Sequence, residues 1–415
     1  MPIEIRNYLE GFSGRAEALQ AVIEMDEAVF GEPIEDDDVT SPVFGVIEDD
    51  RTFCAWDGDE MVGTCANFSL TTSTPGASMP TAGVTFIGVR PTHRRRGVMR
   101  QMLETLHADG LARKEPIATL WAADPAIYGR FGYGLATQRL SIEVPHAHAA
   151  LVDAPEDPSL RVRMVDIKSD YDLVAPIYEA VASQRGGVLS VDEKWNARQV
   201  HDAPAHRDGA TRAQTVVVED ANGVRGFVRY ALKAAWPTGR YAEGSVIIYR
   251  LMSVDAAAHA ALWRYCLSID LMTKTTWWNL PVDDPVLTWL ENSRQTKQQI
   301  NDAMWVRILD LPKALTGRTY ASDVDVILQV SDPDFAANDG SWRLRGGPDG
   351  AECTRTNDAA DVSLDIRTVG AVFLGGPTLN QHAHAGRVEE HTSGAVAASS
   401  SAFGAPWAAY CPYVF

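Results

Sequence analysis

"RPTHRRRGVMRQML" (residues 90–103) decides how this chain is read. It follows directly on a short, continuously apolar run, "VTFIGV" (84–89), with the character of a buried strand. Beyond it, Val98, Met99, Met102, Leu103 and Leu106 recur at helical spacing. The order is therefore strand, proline-containing turn, arginine cluster, helix. The first-turn N–H groups of a helix lack intrahelical partners, and its dipole favours negative charge there. Gly97 lets an anion approach the backbone, and Arg94, Arg95 and Arg96 add charge-assisted contacts. Two readings stand at this level: an anion cradle, or a helix start whose arginines are merely solvated. A nucleic-acid patch suits the local composition but not the chain, whose formal net charge of −18 repels a phosphate backbone.

The pattern spreads outward from this point. Upstream, Ala18, Val22, Ile23, Met25, Ala28, Val29 and Phe30 mark a helix. "TFCAWDGDEMVGTCANFSL" (52–70) reads as two strands around an Asp57-Gly58-Asp59 turn. Downstream, "PIATLWA" (116–122) is a further buried strand, followed by the glycine-rich turn "DPAIYGRFGYG" (124–134). The proline- and aspartate-rich "PHAHAALVDAPEDPSL" (145–160) marks a linker. After it, hairpin, strand, helix and strand return in the same order, with an Asn222-Gly223 turn signal. An internal duplication follows from this echo. The second copy has "YRLMSVDAAAHAALWR" (249–264) where the first has its arginine loop, with no glycine and no arginine cluster. A third unit begins near "MWVRILDLPKALTGRTY" (304–320). The chain ends on an aromatic "FGAPWAAYCPYVF" (403–415) that should dock on something rather than fray. The boundaries predicted are 1–150, 151–302 and 303–415.

Length alone, at 415 residues, calls for two or three domains. The five cysteines are scattered and lack metal-ligand spacing, which suggests reduced thiols in a cytoplasm. No signal-peptide core opens the chain, and no run approaches the roughly 20 apolar residues of a membrane span. The expected location is cytoplasmic, with non-classical export left open. His382 and His384 point to different faces of an alanine-rich helix, so no metal site is expected.

The string "PTAGVTFIGVRPTHRRRGVMRQM" (80–102), together with "IYGRFGYG" (127–134), resembles the acyl-CoA loop of GNAT N-acetyltransferases. In its full form it is similar to the Eis (enhanced intracellular survival) family of aminoglycoside acetyltransferases. "AHAALWRYCLSIDLM" (258–272), "MWVRILDLP" (304–312) and "AVFLGG" (371–376) extend the resemblance over nearly the whole chain. Met99 departs from the small residue usual at the end of the loop motif.

The resemblance implies a mixed α/β (α+β) fold. Two tandem GNAT-like mixed-sheet domains, the second without a cofactor loop, would precede a sterol-carrier-protein-like domain. It also implies acetyl-CoA as cosubstrate without a metal, and a homo-hexamer built as a dimer of trimers, with neither nucleic acid nor membrane as partner. Ile87, Gly88 and Val89 would flank the acetyl and pantetheine arm. Arg94, Arg95, Arg96, Gly97, Val98, Met99 and Arg100 would hold the pyrophosphate, with Ala123 and Asp124 along the other side. Tyr128 would be the general acid and the Phe415 carboxylate the general base. The reaction needs both, because the amine must lose a proton and the leaving sulfur must gain one. A polycationic acceptor calls for fixed negative charge, and Asp26, Glu35 and Asp36, with Phe30 as an apolar wall, lie where this fold binds it. A protein lysine or polyamine as acceptor, or lipid binding with vestigial acetyltransferase units, are the alternatives.

Overall fold

A computed structural model describes residues 2–31, 41–167, 171–237 and 239–415. The first unit runs β1 (Ile3–Asn7), α1 (Arg15–Phe30), β2 (Thr52–Asp57), β3 (Glu60–Thr74), β4 (Ala77–Val89), α2 (Val98–Ala112), β5 (Ile117–Trp121), α3 (Pro125–Tyr128) and β6 (Gly134–Leu135). The second runs β7 (Gln138–Pro145), β8 (Arg161–Val165), α4 (Tyr171–Ala182), α5 (Glu193–Val200), β9 (Gln214–Asp220), β10 (Gly223–Lys233), β11 (Gly244–Ser253), α6 (Ala256–Leu267), β12 (Met272–Pro281), α7 (Val286–Trp289) and β13 (Lys297–Asp302). Then come β14 (Met304–Ile308), α8 (Leu311–Thr316), β15 (Val324–Ser331), β16 (Gly340–Gly347), β17 (Gly350–Arg355), β18 (Val362–Asp365), α9 (Ile366–Val372), α10 (Leu379–His384), β19 (Val388–Glu390) and α11 (Ala395–Phe403).

The first sheet has the order β1-β2-β3-β4-β5-β14-β6, and the second β13-β7-β12-β11-β10-β9-β8. Each is antiparallel apart from one parallel pair, β4 with β5 and β11 with β12. The duplication seen in the pattern is thus a real repeat of topology. The sheets do not divide at residues 150 and 302, however. β7, on the first side of the expected boundary, pairs with β12 in the second sheet. β14, which the pattern places in the third unit, pairs with β5 and β6 in the first. The two GNAT-like sheets have exchanged a strand. Periodicity cannot show this, because both strands are short apolar runs whose partners are set by chain path rather than composition.

The third sheet, β17-β16-β15-β18-β19, stands apart, but its helix α9 lies directly on the exchanged strand. A Cβ on Gly370 would meet the Val306 carbonyl oxygen at 2.3 Å, and one on Gly134 the Arg367 carbonyl oxygen at 2.0 Å. Only glycine permits that approach of helix to strand.

One face of the first sheet is closed by α2, with Val98, Met102, Leu103 and Leu106 buried against Val62, Cys65, Ala82 and Val84. The opposite face takes α1 through Leu19, Val22 and Ile23. That apolar cluster continues without a break into the third unit and the chain end. Tyr410, Tyr413 and Phe415 are all buried. Each large apolar side chain removed from water contributes about 1.5–3 kcal/mol toward the cost of ordering this tail, and the backbone hydrogen bonds it makes add to that. The expected docking of the terminus is what the structure has. Among the described residues no helix is long and apolar enough to cross a membrane.

Two fully buried arginines tie elements together. Arg51 sits against Glu115 (2.6 Å) and Asp109 (2.7 Å). Arg307 on β14 meets Asp332 of the third unit at 2.7 Å, both side chains at 0% exposure. Removing one partner leaves an uncompensated buried charge, which typically costs about 3–5 kcal/mol. Asp332→Ala should therefore lower the melting temperature of the whole chain by several degrees. A melting curve unchanged from wild type would show that the pair does not hold the third unit to the first sheet.

Candidate active site

The site begins with a fault in β4. β3 and β4 pair Thr64 with Gly88 and Ala66 with Thr85, so Cys65 alone faces two residues, Phe86 and Ile87. Phe86 adopts φ +50°, a strained value for a bulky side chain, and its carbonyl accepts a hydrogen bond from the Thr64 hydroxyl at 3.1 Å. The bulge turns β4 outward. Its parallel pairing with β5 covers only Thr81–Gly83 against Ile117–Thr119, and the strands then part. Past Gly83 the edge of β4 that faces β5 has no strand partner among the described residues.

At the wide end of this split lies the arginine loop. A short 3₁₀ turn, Pro91–His93, precedes it, and Gly97, at φ +81°, starts α2. A Cβ on Gly97 would touch nothing within 4 Å, so glycine is required there by its conformation rather than by crowding. No side chain caps α2 and no acidic residue stands in its first turn, which leaves the N–H groups of Val98, Met99 and Arg100 directed outward. The arginines divide. Arg96 binds Asp57 at 2.9 Å and holds that carboxyl below its usual range. Arg100 binds Asp334 at 2.9 Å and stacks on Phe131. Arg94 reaches only the Val89 carbonyl, at 3.4 Å, and Arg95 stands at φ +64° with no ion pair among the described residues. Unpaired strand edge, uncapped helix start and unneutralised arginines follow one another along the chain from β4 to α2. This donor set suits an extended ligand with an amide-bearing arm and a phosphate-bearing end.

Beside the upper part of β4 lies a cleft of about 400 Å³. Ile87, Ala123, Tyr128, Asp26, Phe30 and Phe415, singled out in the sequence, all line it. Gly88 and Val89 continue from it toward the loop. Asp124 lies beside it as the N-cap of α3, accepting from the Ala126 N–H at 2.9 Å. Glu35 and Asp36 lie outside the described residues. Glu27, beside Asp26 on α1, adds a second carboxylate to the wall. Burial, reinforced by Asp124, pushes the Tyr128 phenol up to about 12. Sequence reading did not foresee Trp121 at the end of β5, nor Arg198 and His206 from the second unit, among the lining residues. Trp195 and Arg198 share a face of α5, but no pattern in the chain directs that helix at the first unit's cleft.

Comparison with known proteins agrees with this geometry. Residues 13–136 and 187–308 each match a model of the acetyltransferase (GNAT) domain, and 311–412 match a sterol carrier protein domain. An uncharacterized N-acetyltransferase of Streptomyces avermitilis is 38% identical over 89% of this chain and 90% of its own. N-acetyltransferase Eis of Mycobacterium tuberculosis is 33% identical over 81% of each chain. Among solved structures, Eis1 from Mycobacterium abscessus superposes with a TM-score of 0.82 at 26% identity, over the whole of both chains. A GCN5-related N-acetyltransferase from Anabaena variabilis shares the fold, with a TM-score of 0.85 at 18% identity over the whole of both chains. The split sheet with its arginine loop is that of a GNAT N-acetyltransferase. Within that class, the chain belongs to the Eis family.

With its phenol near 12, Tyr128 keeps its proton throughout the neutral and mildly alkaline range. An ultraviolet difference titration of wild type against Tyr128→Phe should show no phenolate from this residue below about pH 11, against about 10 for a free tyrosine. A phenolate signal appearing near pH 10 would mean that the hydroxyl is solvated rather than buried.

Proposed function

We propose that the chain transfers the acetyl group of acetyl-CoA to amines of small polycationic acceptors, aminoglycosides foremost, at several positions. The observation that carries this is a single cleft in which the free edge of β4, Tyr128, the chain terminus and the carboxylates of Asp26 and Glu27 converge. Acetyl-CoA supplies the thioester. The β4 edge at Ile87–Val89 would take its amide arm, and the α2 first turn with Arg94 and Arg95 its pyrophosphate. Arg96 and Arg100 act more distantly, since each already holds a carboxylate.

The protein's own groups then manage two protons. An aliphatic amine arrives protonated. Asp26, Glu27 and the terminal carboxylate attract it, because a cleft lined with one sign of charge concentrates the opposite ion. Only the free amine can attack, so the ammonium first gives one proton to water in the cleft. The nitrogen then grows acidic as its bond to the acyl carbon forms, and a carboxylate with an ordinary pKa near 3.5 can take the second proton at that stage. The Tyr128 hydroxyl supplies a proton to the leaving sulfur. Its elevated pKa keeps it a donor, and its burial excludes competing water. Assembly as a homo-hexamer belongs to the same reading. Met164 and Ile300, exposed on the two edge strands of the second sheet, are surfaces such an assembly would cover.

Free thiol release by untagged protein, with acetyl-CoA and a panel of aminoglycosides, spermidine and a lysine peptide, tests the acceptor. Release with aminoglycosides and more than one acetyl per molecule by mass is expected. Release with the peptide or polyamine alone would move the substrate. Tyr128→Phe should lower kcat by about 10²-fold or more, with little change in the KM for acetyl-CoA. An equal loss in both parameters would remove it from proton transfer.

A further inference from the structure

The last residues of the chain belong by sequence to the third unit, yet the second unit holds them. The Arg185 guanidinium donates to the Ala408 carbonyl at 3.0 Å, and the Ala408 N–H to Asp283 at 2.8 Å. The Tyr410 N–H donates to the Gly186 carbonyl at 2.8 Å, and the Asn279 amide to the Cys411 carbonyl at 3.0 Å. Arg250 stacks on the Tyr413 ring at 5.5 Å, and Trp195 of α5 packs against the same ring at 6.0 Å. The final grip is Arg198, whose Nη1 donates to the Val414 carbonyl at 3.1 Å, one peptide short of the terminus. The split between β11 and β12, the counterpart of the split that opens the first unit's groove, is thereby occupied at Asn279 by the tail.

Arg198 belongs, with Arg229 and Arg318, to the anchoring arginines that hold backbone carbonyls rather than carboxylates. Arg51, Arg185 and Arg307 each face a carboxylate side chain. Among the described residues Arg198 is ion-paired with none, its Nε is buried without a partner, and it lines the cleft beside Phe415. Its guanidinium lies over Trp195 at 5.2 Å. Burial lowers its pKa to about 10, which leaves it charged at neutral pH. A half-buried guanidinium with no side-chain anion draws on the nearest acceptor, and here that is the Val414 carbonyl. Two sources of negative charge line the cleft: the chain terminus, and Asp26 and Glu27 of α1.

We infer that Arg198 is a positioning residue for acetyl transfer: it fixes the last peptide of the chain so that the Phe415 carboxylate faces the acceptor amine. The second GNAT-like unit, which lacks a cofactor loop, then serves the reaction as the holder of the terminus. This rests on the reading of that carboxylate as the base.

A double-mutant cycle on the full chain tests this, with Arg198→Met, a one-glycine extension after Phe415, and the two combined. Arg198→Met keeps the apolar stem over Trp195 and should lower kcat about tenfold or more, with KM for the amine changed by less than about threefold. Arg198→Lys keeps the charge and should recover part of the loss. If Arg198 acts through the terminus, the combined variant is no slower than the extension alone. Losses that multiply, or an unchanged kcat in Arg198→Met beside a crippled extension variant, overturn the inference. An extension that leaves the rate untouched overturns the carboxylate reading itself, whatever Arg198→Met does. Should Arg198→Met melt several degrees lower, the Lys variant decides: full recovery of stability without any recovery of kcat also counts against the inference.

Discussion

Reciprocal exchange of two strands is the constraint on which this architecture depends. β14 fills the gap between β5 and β6, and β7 fills the gap between β12 and β13. Buried strand backbone must be hydrogen-bonded, so each sheet without its foreign strand would carry an orphaned edge in its interior. Neither GNAT-like unit is complete alone. The exchange also sets the distance between the two units, and the third is drawn in because α9 sits on β14 at a separation only glycine allows. The Arg307–Asp332 pair secures the same junction.

The chemistry follows from that packing. The bulge at Phe86 opens the β4–β5 split, and the loop at Gly97 turns α2 so that its uncapped end faces the opening. A groove of this kind binds but does not by itself manage protons. The other residues that line the cleft come from different places: Tyr128 from a short helix after β5, the terminus from the far end of the chain, and Arg198 from the other GNAT-like unit. They meet only because the exchange fixes the units and the second unit grips the tail. The two copies of the repeat differ in structure accordingly. Asp255 caps α6 where Gly97 leaves α2 open, and the second split takes a protein segment instead of a ligand. Cap chemistry explains why: a carboxylate already bonded to the Ala257 and Ala258 N–H groups excludes another anion.

Much of this was legible along the chain. The strand–turn–helix at 84–103, the Asp57-Gly58 and Asn222-Gly223 turns, the repeated order of elements and the aromatic terminus are local signals. Side-chain periodicity and turn chemistry report them wherever the segment lies. The loop motif and the tyrosine turn carried the family, and with it Ile87, Ala123, Tyr128, Asp26, Phe30 and Phe415, which the fold brings to one cleft. That Arg96 and Arg100 are occupied by Asp57 and Asp334 was not legible. A basic residue in a run looks the same whether or not a carboxylate from 39 or 234 positions away reaches it.

The sequence by itself therefore determined the elements, the repeat, the cofactor-type loop and the need for the tail to dock, because each rests on contacts between near neighbours or on side-chain type. Tertiary structure alone decided which sheet each exchanged strand joins, which arginines remain free of carboxylate side chains, and which unit holds the terminus. Those are long-range pairings. Their partners are chosen by the geometry of packed units and leave no periodic trace in the chain, as Arg198 on an ordinary amphipathic helix shows.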